Sequence, residues 1–297
     1  MADKSYSYGD VSVRQDLLDQ IHDLNITETY VTSNAGNVAV NATYHTWNED
    51  PIEAQTSQSG TIEGADTTYS MGTPSGYANM TQIIEKGIKV THSNQDSTHA
   101  GFSDKWAREK AKKMLEWKNQ FELSAVIGTL ASGDGSANAR KMNGIIRFAS
   151  TLATQESSAT LDSDAYNTYM GNAYDQGADI DTILVGRVLK ERISGFTTPN
   201  TRNIAAGDKK VINTISVYEG DHGTQTIVKH RYIDSGATSG SHALCGYMSD
   251  YVKVGYLTNP GYEDRAQTGG FKAGAIYGEA TVQVDNEKSI TFIDGLI

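Results

Sequence analysis

The sequence holds one cysteine, Cys245, and only 4 prolines in 297 residues. A single thiol excludes an internal disulfide, and its setting in the apolar run ALCGYM marks a small core residue, because apolar surroundings raise a thiol's pKa and make it a poor nucleophile. No apolar run approaches the roughly 18 residues that a membrane-spanning helix needs, and the opening MADKSYSYGD has no hydrophobic signal region. A cytosol-like compartment is the expectation. Basic residues are also in deficit, with 25 Lys and Arg against 36 Asp and Glu and a net charge of -11. With no basic stripe carrying interleaved aromatics, sequence-specific nucleic-acid binding is not expected.

Catalytic signatures are missing as well. No Gly-x-Ser-x-Gly elbow occurs, and the glycine-rich ASGDGSANARK lacks the Gly-Lys-Ser/Thr ending and preceding strand of a phosphate loop, so it reads as a plain loop. Histidines are scattered at His22, His45, His92, His99, His222, His230 and His242. Only His92, Asp96 and His99 approach metal-ligand spacing, without a fourth ligand or a helix to align them. Asp162 and Asp164 open like a calcium loop, but the glycine and closing glutamate are absent and helix capping explains them better. Glu49 and Asp50 lie in a polar stretch where no burial would tune them. No cofactor and no metal are expected.

What is present is one long amphipathic segment, Ser103 to Gly128, among strands and loops. Trp106, Met114, Trp117, Phe121 and Ala125 fall three, four or eight apart on one helical face. Ser103 and Asp104 can cap its start and Gly128 can end it in the left-handed conformation, and about 24 residues make a rod on the order of 36 Å long. Asp104 with Arg108, Glu109 with Lys113, Lys112 with Glu116 and Lys118 with Glu122 stand at i,i+4 as surface charge pairs. Residues 1 to 103 carry 4 basic against 13 acidic side chains, a balance of -9, whereas residues 104 to 127 carry 6 against 4, a balance of +2. A negative arm beside a positive rod suggests self-association.

Along the chain, Val13, Leu17, Ile21 and Leu24 predict a short helix from Asp10 to near Asn25. Asn34 to Asn79 is punctuated by glycine and too poor in apolar residues for its own core, which predicts a projecting hairpin ordered by a neighbour. A strand follows at Met80 to Ser93, its Ile84, Ile88 and Val90 suited to pack on the rod. After the rod, Tyr166, Tyr169, Met170, Ala173 and Gly177 describe a capped helix, Thr182 to Gly186 a buried strand and RVLKERISG a second helix. Strands are predicted at Val211 to Tyr218 and Thr224 to Ile233, then through ALCGYM and YVKVGYL to Leu257. A break is expected at Asn259 and Pro260, followed by a closing hairpin of FKAGAIYGEATVQV and SITFIDGLI.

This order of parts resembles the Hong Kong 97-type fold of tailed-phage major capsid proteins, and the local sequence resembles the major head protein family. The segments that carry the resemblance are HTWNED, NMTQIIEKGIKV, FELSAVIG, MNGIIRF, SSATLDSDAYNTYMGNAYDQGADIDTILVG, KERISGF, SVYEGDHGTQTIVKHRYI, AQTGG and YGEATVQVDNEKS. It implies an α+β fold with an N-terminal arm and short helix at 1–36, an extended loop with flanking strands at 37–92, and a peripheral domain with the spine helix at 93–144. An axial α/β domain at 145–253 and a return to the peripheral domain with a closing β-hairpin at 254–297 complete it. The implied function is a non-enzymatic capsid protein of a tailed double-stranded DNA phage, assembling in the host bacterial cytoplasm into pentamers and hexamers of an icosahedral head. Scaffolding, portal and decoration proteins are implied partners, packaged DNA a non-specific neighbour, and no membrane is involved. A helix starting by Asp10 leaves no room for a removable scaffolding segment, so a separate scaffold or none is expected. Candidate inter-subunit contacts are Trp47, Tyr69 and Tyr77 in the projecting loop and Lys105, Arg108 and Lys112 on the rod. A phage tail or adhesion protein, or an α/β enzyme, are the alternatives.

Overall fold

The computed structural model describes residues 28–297 apart from 51, 53–57, 59, 67–70, 100, 197–215, 221 and 239. The helix expected from Asp10 and most of the strand expected from Val211 lie outside the described residues. The described residues divide into two compact units, one comprising 85–117 and 262–276 and the other 28–84, 118–261 and 277–297. Helices are α1 (Tyr30–Asn34), α2 (His92–Asp96), α3 (Lys105–Ile127), α4 (Ser163–Asp175) and α5 (Arg187–Ser194). The strands are β1 (Gly36–Ala39), β2 (Tyr44–Glu49), β3 (Ser75–Met80), β4 (Gln82–Thr91), β5 (Ala153–Ala159) and β6 (Thr182–Val185), then β7 (Val217–Gly220), β8 (Gly223–Lys229), β9 (His242–Tyr247), β10 (Val252–Asp264), β11 (Phe271–Val284) and β12 (Ile290–Leu296).

The predicted rod is α3. Asp104 caps it, its Oδ1 accepting from the N–H groups of Trp106 at 2.9 Å and Ala107 at 3.3 Å. Of the predicted apolar face Trp106, Trp117, Phe121 and Ala125 are buried, and Met114 is half-buried. The end differs from expectation: Gly128 is not among the residues with positive φ. It is required because a Cβ there would lie 2.3 Å from the Ser124 carbonyl oxygen and 2.7 Å from that of Met142, while a Cβ on Gly144 would lie 2.5 Å from Gly128 N. Two backbones pass without side chains between them, and Gly144 N–H donates to Gly128 O at 3.0 Å.

In the smaller unit, Ile88 and Val90 from β4 cluster with Trp106 under Tyr262. The Lys110 ammonium lies 3.9 Å above the Tyr262 ring, that of Lys272 4.7 Å from the Trp106 ring and that of Lys89 3.7 Å from the Phe271 ring, so each aromatic face carries a cation.

In the larger unit a six-stranded sheet runs β5–β12–β9–β6–β8–β7. Strand β6 is buried along its whole length and pairs in parallel with β8, the two connected through α5, as a parallel pair requires a crossover. Helix α4 begins at Asp162, whose carboxylate accepts from Ala165 N–H at 2.8 Å, the capping role expected of it, and ends before Gly177 at φ 85°. Tyr166, Met170 and Ala173 of α4 join Leu189, Ile193, Ile183, Val185, Leu244 and Ile293 in one core. Cys245, next to Leu244 on β9, is fully buried as well, and burial pushes its thiol up to about 12.

Three expectations are corrected by the pairing. The four-stranded sheet is ordered β1–β10–β11–β4, so the long hairpin is β10 with β11 and not β11 with β12. Strand β12 instead lies between parallel β5 and antiparallel β9, a position that suits a strand buried on both faces. No break occurs at Asn259 and Pro260, since β10 runs straight through them. The β1 ladder ends at Tyr256, which leaves that flank of β10 open where a proline lacks its N–H. Finally, Gly36–Ala39 is no part of the projecting hairpin but pairs in parallel with Lys253–Tyr256.

Candidate assembly surfaces

The projecting hairpin is β2 paired antiparallel with β3, in a register that sets Trp47 opposite Tyr77 and His45 opposite Asn79. Its base is fastened to its own unit. Asn79 Nδ2 donates to the Val282 and Asn143 carbonyls at 2.7 and 3.0 Å, while its Oδ1 accepts from Asn143 N–H at 2.8 Å. His45 Nε2 lies 2.6 Å from Gln283 Oε1, and Trp47 packs 5.8 Å from the Phe148 ring. Trp47 and Tyr77 therefore sit at the root of the hairpin, each partly buried against the chain that carries it. Burial and the adjacent Glu49 and Glu287 raise the Tyr77 phenol above its ordinary pKa. Tyr69 lies outside the described residues.

Beyond this root the character changes. Ile52, Ile62 and Met71 are 96%, 82% and 94% exposed. These are three large apolar side chains standing bare on a polar segment. Residues 28 to 84 also contain six acidic residues, Glu28, Glu49, Asp50, Glu53, Glu63 and Asp66, and no Lys or Arg. Sequence reasoning passed over Ile52, Ile62 and Met71 because it weighted aromatic size; the available signal was an isolated aliphatic residue with no periodic partner.

On α3, Lys105 pairs with Glu109 at 3.0 Å and lies 5.4 Å from the Phe102 ring, with the Arg108 guanidinium 4.9 Å from the same ring. Lys112 is exposed. Lys113 pairs with Glu116 at 2.7 Å. These three candidates share one helix, α3, in the smaller unit, whereas Trp47 and Tyr77 belong to the larger one.

The expected surface pair of Lys118 and Glu122 does not describe Glu122, which is fully buried. Its carboxylate accepts from the N–H groups of Val31 at 2.8 Å and Thr32 at 2.9 Å at the start of α1, and His230 Nε2 lies 3.0 Å from it. A buried carboxylate is tolerable only with such partners. One side chain thus ties the incoming arm and the end of β8 to the spine. A second polar anchor joins Arg140 to Glu279 and to the Thr81 carbonyl.

Among the described residues no group of three or more His, Cys, Asp or Glu is placed to hold a metal, and no helix is long and apolar enough to cross a membrane. His99 of the suggested triad stacks on Phe102 at 4.7 Å with Nε2 2.7 Å from the Asn94 carbonyl.

The family model of the SU10 major capsid protein matches residues 3–296. The chain belongs to this family. Members of the SU10 major capsid protein family are structural proteins of the virion, and the fold agrees. A chain of Gordonia phage Cozz is similar at a TM-score of 0.65 and 15% identity, over 96% of this chain and 92% of that one. A capsid chain of the native GTA particle is similar at 0.68 and 9% identity over 97% of both. The holo-SrpI encapsulin complex of Synechococcus elongatus PCC 7942 contains a chain similar at 0.62 and 9% identity, over 100% of this chain and 96% of that one. Among curated protein sequences none matches. The architecture is the Hong Kong 97-type capsid fold, α+β, in a tailed-phage major capsid protein.

Proposed function

We propose that copies of this chain close into pentamers and hexamers that tile an icosahedral head around double-stranded DNA. The observation that carries this reading is the hairpin tip, where Ile52, Ile62 and Met71 stand almost fully in water. Covering each by a second copy would stabilise the contact by on the order of 1.5–3 kcal/mol. The cover we assign is the neighbouring copy's platform, with Lys105, Arg108 and Lys112 opposing the acidic, base-free hairpin. The tip, more than Trp47, is the contact, while Trp47 and Tyr77 hold its root. Ring contacts of this kind are heterologous and end because the rotation closes.

In this reading 1–36 act as the arm, 37–92 as the extended loop with its flanking strands, 93–144 as the peripheral domain and 145–253 as the axial domain, while 254–297 return to the peripheral domain except for β12, which pairs with β5 and β9 in the axial sheet. The axial domain lies nearest the ring axis. Assembly takes place in the host bacterial cytoplasm, with scaffolding, portal and decoration proteins as further partners, and the role is structural and not enzymatic. A net charge of -11 keeps packaged DNA from adhering to the wall. The test is the triple replacement of Ile52, Ile62 and Met71 by Ser: it should leave a soluble, folded subunit that no longer forms particles under negative stain. Normal particles from that variant would refute the tip as a contact.

A further inference from the structure

Helix α3 has one packed side and one bare side. Trp106 and Trp117 are buried, whereas Ala107, Ala111, Lys112, Leu115 and Lys118 are exposed on the opposite side, at about 100° per residue. Ala107, Ala111 and Leu115 follow at four-residue steps, the kind of ridge against which a second helix packs. The alanines let a backbone come close, and Leu115, 46% exposed, is a large aliphatic side chain left half in water. Lys112 and Lys118 stand three residues before and after it. Helical spacing pairs them with Glu116 and Glu122, but Glu116 takes Lys113 at 2.7 Å and Glu122 is buried against α1 and His230. The outer side of α3 is therefore an apolar row bordered by lysines whose expected partners are engaged elsewhere.

The chain delivers a segment of matching character to this row. Glu28, where the described residues begin, donates its N–H to Asn119 Oδ1 at 3.1 Å, one turn beyond Leu115 on the same helix. Residues 1–27 precede it. Within them, 10–25 place Val13, Leu17, Ile21 and Leu24 on one helical stripe and Asp16, Asp19 and Asp23 along a single border of that stripe, with Arg14 as the one Lys or Arg. A helix of about 16 residues is on the order of 24 Å long, and Ala107 to Asn119 covers about 18 Å at the same rise. Only Ile26 and Thr27 separate the segment from Glu28, so a short tether holds it at high effective concentration beside α3.

We infer that residues 10–25 dock as a helix along the outer side of α3 in their own chain, with their apolar stripe on Ala107, Ala111 and Leu115. Because the tether is at Asn119 and the row runs back toward Ala107, the two helices are parallel, which turns the border of Asp16, Asp19 and Asp23 toward Lys112. Opposite charge fixes the orientation, while the apolar row supplies the burial. Lys112 also borders the side of α3 that carries Lys105 and Arg108, so it is shared with the hairpin contact proposed above, on which this docking does not depend.

Hydrogen exchange of the full-length subunit, followed by mass spectrometry, tests this. An isolated helix of this length is marginal in water, so protection of 10–25 reports docking. In the parent its amides should exchange about tenfold or more slower than in an unstructured peptide, and equally so over about a hundredfold dilution. The double variant Lys112→Glu and Leu115→Glu should bring them to within about twofold of the unstructured rate while the amides of β6 keep their protection. An unprotected 10–25 in the parent, or undiminished protection in the variant, overturns the inference. Protection that vanishes on dilution would assign the segment to a second copy and overturn it as well. Should the double variant loosen β6 too, Ala111→Gln takes its place, adding bulk at one exposed site of the row. It should speed exchange in 10–25 several-fold, and an unchanged rate would contradict the docking.

Discussion

The hairpin of β2 and β3 and the six-stranded sheet are both built of strands, yet they differ in where their apolar residues go. In the sheet, Ile183, Leu184, Leu244 and Ile293 are at 0% exposure, and every strand finds neighbours within the chain. Toward the hairpin tip, Ile52 and Met71 meet almost nothing but water. The sheet is stabilised by neighbours within its own chain, whereas these apolar residues are left uncovered by it. In the proposed reading a capsid subunit needs both, a body with its own core and an appendage whose exposed apolar residues are covered by a neighbouring copy.

The contrast can be broken most severely at the body. Ile183→Ala should cost about 3 kcal/mol by leaving a cavity in a sheet that cannot collapse around it, seen as a lower denaturation midpoint. The Ile52, Ile62 and Met71 replacements by Ser should shift the midpoint by no more than about 0.5 kcal/mol while eliminating particles. Equal destabilisation by the two would erase the distinction. Next in size is Glu122→Ala, which strands two N–H groups of α1 and the His230 ring. A loss of about 3 kcal/mol is expected, with hydrogen exchange rising first at Val31 and Thr32.

A smaller effect concerns acid. Asp294 is 6% exposed; burial would raise its pKa, but the Thr238 hydroxyl and N–H, the Gly295 N–H and Ser241 outweigh that and hold the carboxyl below its ordinary value. Its folded pKa is depressed, so its stabilisation is present above the ordinary carboxylate pKa of about 4 and is lost as pH falls through the lower folded value. Urea midpoints of the parent should therefore drop in that window more than those of Asp294→Asn, and parallel curves would contradict the linkage. Smallest is a labelling effect: with its thiol pushed up to about 12, Cys245 should resist thiol reagents near neutral pH until the chain unfolds. Rapid labelling of the folded subunit would place it outside the core.

Sequence periodicity revealed the local elements. The spine, α4, α5 and β6 were legible because an amphipathic face or a short apolar run repeats within a few residues. Long-range choices were not. Nothing local in ITFIDGL says that β12 leaves β11 to pair with β5 and β9, and the Asn259–Pro260 pair reads as a break until the open flank of β10 is known. Glu122 looked like a surface partner of Lys118 because helical spacing cannot show that α1 and His230 converge on it from residues about 90 and 108 positions away. For the assembly surface, spacing found the hairpin, but size misled: the aromatic Trp47 is held by Phe148, and the exposed aliphatic side chains lie farther out.

Oxidative footprinting of Met71, quantified by mass spectrometry in the free subunit and in assembled particles, tests the division between body and appendage most directly. The account predicts fast conversion to the sulfoxide in the subunit, matching 94% exposure, and strong protection in the particle. Equal oxidation in both states, or a Met71 already protected in the isolated subunit, would contradict it.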